Sequence, residues 1–520
     1  MENKKAQETT KSLSISETCK PLLKKSKNLF LKKDENNNFR DIKNLNVRVF
    51  INCLVSLLSF ILMTLFWLTD VYNQIIIQKI VLRNNSEMLD WYLNPPFSPI
   101  IKVYVFNYTN IEEFMSGTEK KIKITEVGPY VYEEPLQKIN VQYNEDRITY
   151  FENRTHRFIP EMSGLLLEND TIIAPNIPLI SAIPNVAKLS FFSKVGFNTL
   201  LSITKPKEFQ NISIKDYFFG YRDEFMNLIS KIKWDFTPED VGILAPRRGA
   251  TKKSVTINSG LKNTNTIGKV LDFDRKTKLD LWKTDECNEI SGYDGIFNGP
   301  NQVRNKQNTA VFLPDLCRSL PLEYSKQEVI YGNIPSYYYI APENTFTKPN
   351  DQIKNKYYCE LKSVQQEHVN GVLDVSDCID GTPPIYASHP HFMEGDEKLF
   401  SHFEGLAPNK SLHNSYAYIH PRFSIPVLGT SRMQLNLKLT HHKNYYNHYP
   451  NELILPLAWI ETTSDMIPEE FKFKLYLSTV IVNGIEIILK YGSFLTLIAS
   501  LFILFYSIKN NFRISHDTLS

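Results

Sequence analysis

The chain has 520 residues, 42% of them apolar, and a formal charge of +3. The basic excess lies largely in the N-terminal tail. No basic stripe interleaved with stacking aromatics occurs in the middle of the chain, which excludes a nucleic-acid-binding protein.

Two uncharged apolar runs lie near opposite ends. Residues 49–69 run between Arg48 and Asp70, and residues 491–508 between Lys490 and Lys509. A membrane helix needs about 20 apolar residues. The first run meets that length, and a snorkelling Lys490 extends the second. The first run begins too far into the chain, and is too long, for a cleaved signal peptide. A basic stub follows the second, which argues against a lipid-anchor signal. From Met1 to Arg48 the N-terminal tail carries twelve basic residues against six acidic ones, and the C-terminal tail has Lys509 and Arg513 against Asp517. The positive-inside bias places both tails in the cytosol and the middle outside it. The expected division is a cytosolic tail (1–46), a first span (47–69), an extracellular or lumenal ectodomain (70–484), a second span (485–508) and a cytosolic tail (509–520). The basic N-terminal tail reads as a solvated arm, with anionic lipid surface as the alternative. Six Asn-X-Ser/Thr sequons, at Asn84, Asn107, Asn153, Asn169, Asn211 and Asn409, all fall between the spans and are candidate glycosylation sites.

Along the ectodomain, strand signals dominate. Residues 101–107 (IKVYVFN) are β-branched and aromatic, and residues 111–114 suggest a short helix. Residues 139–159 read as two strands around a polar turn at 144–146. Residues 181–204 place Val186, Leu189, Phe192, Val195, Leu200 and Leu201 at helical spacing, and 217–232 suggest another helix. Residues 432–439 alternate strictly, with Met433, Leu435, Leu437 and Leu439 on one face. These patterns predict an α+β membrane protein: two transmembrane helices flanking a large antiparallel, barrel-like ectodomain with a helical cap.

Cys287, Cys317, Cys359 and Cys378 lie in the ectodomain. An even count in an oxidising compartment implies two disulfides, and spacing leaves all three pairings open. The spacings lack the Cys-x2-Cys pair of a zinc site. Loops of this length would each contribute about 4 kcal/mol in the chain-entropy model. Cys19 and Cys53 lie on the cytosolic side, where Cys53 is either acylated or a plain buried thiol. No Gly-x-Ser-x-Gly, His-Glu-x-x-His or P-loop pattern is present, so no enzyme is expected. His389 with His391, and His441 with His442, are the best metal candidates. Neither pair has a convincing third ligand, and His391 reads as structural. No cofactor or metal is expected.

Several segments, in order, carry a resemblance to a known family. They are 91–107 (WYLNPPFSPIIKVYVFN), 126–132 (EVGPYVY), 219–223 (FGYRD), 316–319 (LCRS), 371–378 (GVLDVSDC), 381–392 (GTPPIYASHPHF) and 456–459 (PLAW). Together, inside the two-span topology, they resemble the class B scavenger receptors over most of the region between the spans. Phe219 stands where the family motif has Trp, and Glu224 where it has Pro. The resemblance implies the pairings Cys287–Cys359 and Cys317–Cys378. The third disulfide many members carry has no cysteines here, and the C-terminal tail lacks acylation cysteines.

The resemblance further implies a surface receptor that binds lipids, fatty acids or lipoproteins at a helical apex and passes lipid to the membrane through an internal tunnel. The stretch 181–204 aligns with that apex. Its candidate ligand-binding residues are Lys188, Leu189, Phe191, Phe192, Lys194 and Phe197, followed by Lys205 and Lys207 at the positions of apical lysines in members of the family. Cations beside an apolar mouth suit carboxylate lipids and anionic lipoprotein surfaces. The alternative is a lysosomal or endosomal sorting receptor for a protein cargo. The acidic dileucine signal of that branch is absent from residues 509–520, which favours the plasma membrane. Homo-oligomers fit the family.

Overall fold

The computed structural model describes residues 47–186, 190–222, 225, 227–228, 241–349, 355–363, 369–379, 383–440, 449–450, 453–464 and 468–519. Two units divide the chain. One holds the membrane-length helices and the other, Asn73–Leu477, the ectodomain.

In the membrane unit, the helices Val47–Leu68 and Glu469–Asn510 are long and apolar enough to cross a bilayer, and almost all of their apolar surface is exposed. The second helix begins well before the apolar run that marks it in the sequence and continues to Leu519. Polar side chains meet between the two. Ser56 Oγ donates to Ser500 Oγ at 2.9 Å, Ser59 Oγ lies 3.1 Å from Thr496 Oγ1, and Trp67 Nε1–H donates to the Lys490 carbonyl at 3.1 Å. Hydrocarbon offers these groups no other partner, so such contacts set the facing sides of the helices. Lys490 pairs with Glu486 one turn away, at 2.8 Å.

The ectodomain is built on a 12-stranded sheet. Its main path runs Thr309–Leu313, Arg318–Ile330, Ile334–Ile340, Tyr416–Ile419, Pro426–Leu439, Leu453–Thr463, Ile100–Tyr108, Ile122–Glu133 and Phe403–Glu404. The pairs are antiparallel except the last, which is parallel. The order is open at both ends among the described strands, so the barrel-like ectodomain of the sequence reading is a sheet whose described strands do not close on themselves. The chain packs Val270–Phe273, Val255–Asn258, Arg147–Arg154 and Leu136–Asn144 into a second sheet. The two strands expected within 139–159 are present there, turning at Glu145, whose φ is 50°.

One strand expectation changes. In Pro426–Leu439, Leu437 and Leu439 are buried, but so are Gln434 and Asn436 of the opposite face. That face is roofed by other segments. Gln434 Oε1 accepts the His391 backbone N–H at 2.6 Å, and Gln434 Nε2 donates to Asn436 Oδ1 at 2.7 Å. Asn436 Nδ2 in turn donates to Ser388 Oγ at 3.0 Å. Buried amides persist only when their hydrogen bonds are made, and this ladder makes them.

The disulfides join Cys287 to Cys359 and Cys317 to Cys378, with Cα–Cα distances of 5.9 and 5.8 Å. Arg318, next to Cys317, is buried, and its guanidinium donates to three carbonyls: Cys287 at 2.8 Å, Lys356 at 2.8 Å and Tyr357 at 3.1 Å. Burial pulls its pKa down to about 10. The arginine of the LCRS segment therefore clamps the cystine loops from inside. Arg318→Ala leaves three carbonyls unpaired and should destabilise the ectodomain by about 2–4 kcal/mol. Thermal unfolding under non-reducing conditions checks this.

Candidate functional site

The apex is built from two helices, Ile177–Val186 and Phe191–Thr204. The sequence pattern reads as one helical stretch over 181–204, and two helices stand there instead. Ser190 caps the second helix, its side chain accepting the Ser193 N–H. Of the residues at helical spacing, Phe192 and Val195 lie exposed, while Leu200, together with Phe197, points into the core. Below them, Asn176 anchors the first helix. Its Oδ1 accepts the Leu179 N–H at 3.1 Å, and its Nδ2 donates to the Lys207 carbonyl at 3.1 Å. The paired strands Thr171–Pro175 and Phe209–Ser213 carry both helices.

The candidate ligand residues therefore separate. Phe191 is 74% and Phe192 84% exposed, with Ile203 at 74% further along the same helix. Lys205 caps the helix in the left-handed conformation, φ 44°, and Lys205 and Lys207 are both exposed. Lys194 is half-buried. Phe197 is a core residue, edge-on to Phe225 at 5.7 Å, and so lies beneath the patch rather than in it. Lys188 and Leu189 lie outside the described residues, as do His441 and His442. Of the sequons, Asn84, Asn169, Asn211 and Asn409 are exposed, and Asn107 and Asn153 are half-buried in strands.

Beneath the apex the interior is lined with phenols. Tyr108 OH donates to the Pro456 carbonyl at 2.9 Å and Tyr449 OH to Glu208 Oε2 at 2.7 Å. The hydroxyl of fully buried Tyr217 has no hydrogen-bond partner among the described residues. Burial drives the Tyr108 and Tyr217 pKa values well up, so these phenols are neutral donors.

A second constellation went unnoticed in the sequence because its members lie far apart. Glu126 of EVGPYVY, His391 of the SHPHF segment and Trp459 of PLAW meet at one carboxylate. Glu126 Oε2 lies 2.6 Å from His391 Nε2 and accepts the Trp459 indole N–H at 2.7 Å. Tyr104, from the segment after the first span, stacks on Trp459 with centroids 3.9 Å apart and planes 3° from parallel. His413 stacks on His391 at 4.6 Å. Gly128 belongs to the same junction, since a Cβ there would come within 2.9 Å of the Tyr104 Cα. Burial alone would raise the Glu126 pKa, but the hydrogen bonds from His391 and Trp459 bring it below the usual carboxylate range. Next to this junction Arg432 Nε donates to Glu461 Oε2 at 2.7 Å, and Lys102 pairs with Glu461 Oε1 at 2.7 Å. His389 is buried edge-on against Phe346 at 4.9 Å, and burial holds its pKa down to about 4. Among the described residues no three His, Cys, Asp or Glu side chains gather as a metal site.

Two membrane-length helices, with a disulfide-bonded, mostly antiparallel ectodomain between them in the chain, define a two-span membrane protein. The chain belongs to the CD36 family, whose model matches residues 51–508. It is 31% identical over 366 residues to lysosome membrane protein 2 of Mus musculus, covering 70% of this chain and 74% of that protein. It is 28% identical over 423 residues to scavenger receptor class B member 1 of Bos taurus, covering 80% of each. With the same receptor of Rattus norvegicus it shares 30% identity over 370 residues, 70% of each.

Trp459→Phe removes one donor from Glu126 while keeping the ring stack. It should cost about 1–2 kcal/mol of ectodomain stability, read as a lowered thermal midpoint.

Proposed function

We propose that this protein is a receptor that captures lipids, fatty acids or lipid-bearing particles at its helical apex and lets them pass through the ectodomain to the bilayer. The observation that carries this reading is the second apical helix. It presents Phe191, Phe192 and Ile203 to solvent, and Lys205 and Lys207 follow at its end. Apolar side chains that exposed are unusual on a soluble surface unless something covers them. An acyl chain laid along the aromatics, with its carboxylate toward the lysines, satisfies both sets. Buried Tyr217, whose hydroxyl has no partner among the described residues, offers a hydrogen bond to a polar head. No bond is made or broken in this process. Lipid moves down its gradient through a conduit that spares it contact with water. The relatives named as scavenger receptors support a role at the cell surface, and the lysosomal relatives support an internal membrane.

The test uses a photoactivatable long-chain fatty acid and the full-length protein in lipid nanodiscs, with labelled positions mapped by mass spectrometry. Saturable labelling within 191–207 is the expected result. Lys205→Ala with Lys207→Ala should weaken it about 3- to 10-fold, as expected for exposed charge pairs. Phe191→Ser with Phe192→Ser should weaken it about 10-fold or more. Labelling confined to other surfaces would move the entrance away from the apex. The absence of saturable labelling would leave the exposed helix as a docking face for a protein.

A further inference from the structure

The imidazoles beside Glu126 also hold a piece of backbone. The Ala407 N–H donates to His391 Nδ1 at 3.1 Å, and the Asn409 N–H donates to His413 Nδ1 at 3.0 Å. A backbone N–H is always a donor, so each Nδ1 must be unprotonated. His391 then carries its proton on Nε2, and that N–H donates a hydrogen bond to the Glu126 carboxylate. The two rings are stacked 9° from parallel. Neutral imidazoles tolerate this arrangement. A proton added to His413 goes to the nitrogen that is accepting from the backbone, setting N–H against N–H inside the segment.

The segment held this way is a bridge between two fixed ends. At its start, Phe403–Glu404 pairs with Ile122 and Lys123. Gly405 follows with φ 110°, passing so near the Ile124 carbonyl that a Cβ would lie 2.0 Å from the oxygen. At its end, the Ala341 N–H donates to the Ser415 carbonyl at 2.9 Å and the Arg432 N–H to Ser415 Oγ at 2.8 Å. Between these ends the residues are largely exposed, apart from half-buried Leu406 and buried His413, and Lys410 pairs with Glu343. A segment with so few buried contacts opens at low free-energy cost once its latches fail.

We propose that residues 405–413 form an acid-released strap, held to the central sheet by the His391 Nδ1 that accepts from Ala407 and by the strap's own His413, which stacks on His391 while its Nδ1 closes the short helix Lys410–His413 onto Asn409, and freed when His413 takes up a proton. Release would uncover Trp459, which His413 covers edge-on at 5.6 Å, and its stacked partner Tyr104, and would swing out the sequon at Asn409.

The groups facing the latch come from every element around it. Glu126 is on Ile122–Glu133, and Arg432 is on Pro426–Leu439. Glu461 on Leu453–Thr463 pairs with Arg432 and also with Lys102 on Ile100–Tyr108, so one carboxylate is shared by two cations, and His389 lies on the same turn as His391. For His413, burial, His391 and Arg432 disfavour charge while Glu126 favours it, and the pKa falls to about 4 from 6.5. The folded state therefore prefers the neutral ring. Its stabilisation is full above pH 6.5 and is lost as pH falls toward about 4. The strap is closed at neutral pH and opens in acid, whatever the apex binds.

The test is hydrogen–deuterium exchange of the full-length protein in nanodiscs between pH 7.5 and 4.5, corrected for intrinsic rates. The peptide covering 405–413 should lose about 10-fold or more in protection, as for an opening equilibrium moved by one pKa unit or more. The strands Pro426–Leu439 and Leu453–Thr463 should keep theirs. In His413→Asn the amide oxygen takes the place of Nδ1 and does not titrate, so the loss at Asn409 should shrink. Glu126→Gln removes the charge that favours protonated rings and should shift the midpoint to lower pH, with the strap still closed at pH 7.5. Unchanged protection in the wild type, or the same loss at the same midpoint in both variants, overturns the proposal. If His413→Asn does not fold, the Glu126→Gln midpoint decides it.

Discussion

One carboxylate ties the ectodomain together. Glu126 accepts from His391 and from Trp459, which lie 265 and 333 residues away in the chain. The ends of the ectodomain meet in the centre of the sheet, where Ile100–Tyr108 pairs with Leu453–Thr463. That meeting places Tyr104 on Trp459 and brings Glu126 under both. Even a partly desolvated carboxylate loses hydration, and here the His391 and Trp459 donors make up for it. The strand pairing and the hydrogen bonds therefore require each other: without the register, Glu126 has no partners, and without the partners it could not be held there.

The same economy governs both faces of the central strands. Where segments from 385–415 cover the sheet, polar residues beneath them are satisfied one by one, from His391 through Gln434 and Asn436 to Ser388. The cystine loops follow the same rule with Arg318, whose charge is solvated by carbonyls instead of water. The apex does the opposite. Phe191, Phe192 and Ile203 are exposed together on one helix there.

The motif residues most visible in the sequence are mostly those that build this framework. His391 was legible as structural, and it is held at both ring nitrogens. Its partners were not legible, because nothing in a sequence marks residues hundreds of positions apart as neighbours. The strands at 100–108, 136–144 and 147–154 could be read because their apolar and aromatic runs have few other uses. The break between the two apical helices was not legible because a serine cap in the middle of a helical pattern looks, in sequence, like one more polar position. Phe197 was grouped with its exposed neighbours for the same reason, since aromatic identity does not say which side of a helix faces the core.

The amino-acid sequence by itself determined that the chain crosses a membrane twice and carries a large antiparallel ectodomain between the crossings. These properties follow from local hydropathy, charge and alternation, and each can be read within a window of about 20 residues or fewer. Only the tertiary structure decided which charged and aromatic side chains share a site, which face of the apical helix meets solvent, and that the sheet stays open. Those outcomes depend on the register between distant strands, and register is set by packing and hydrogen bonding across the whole fold.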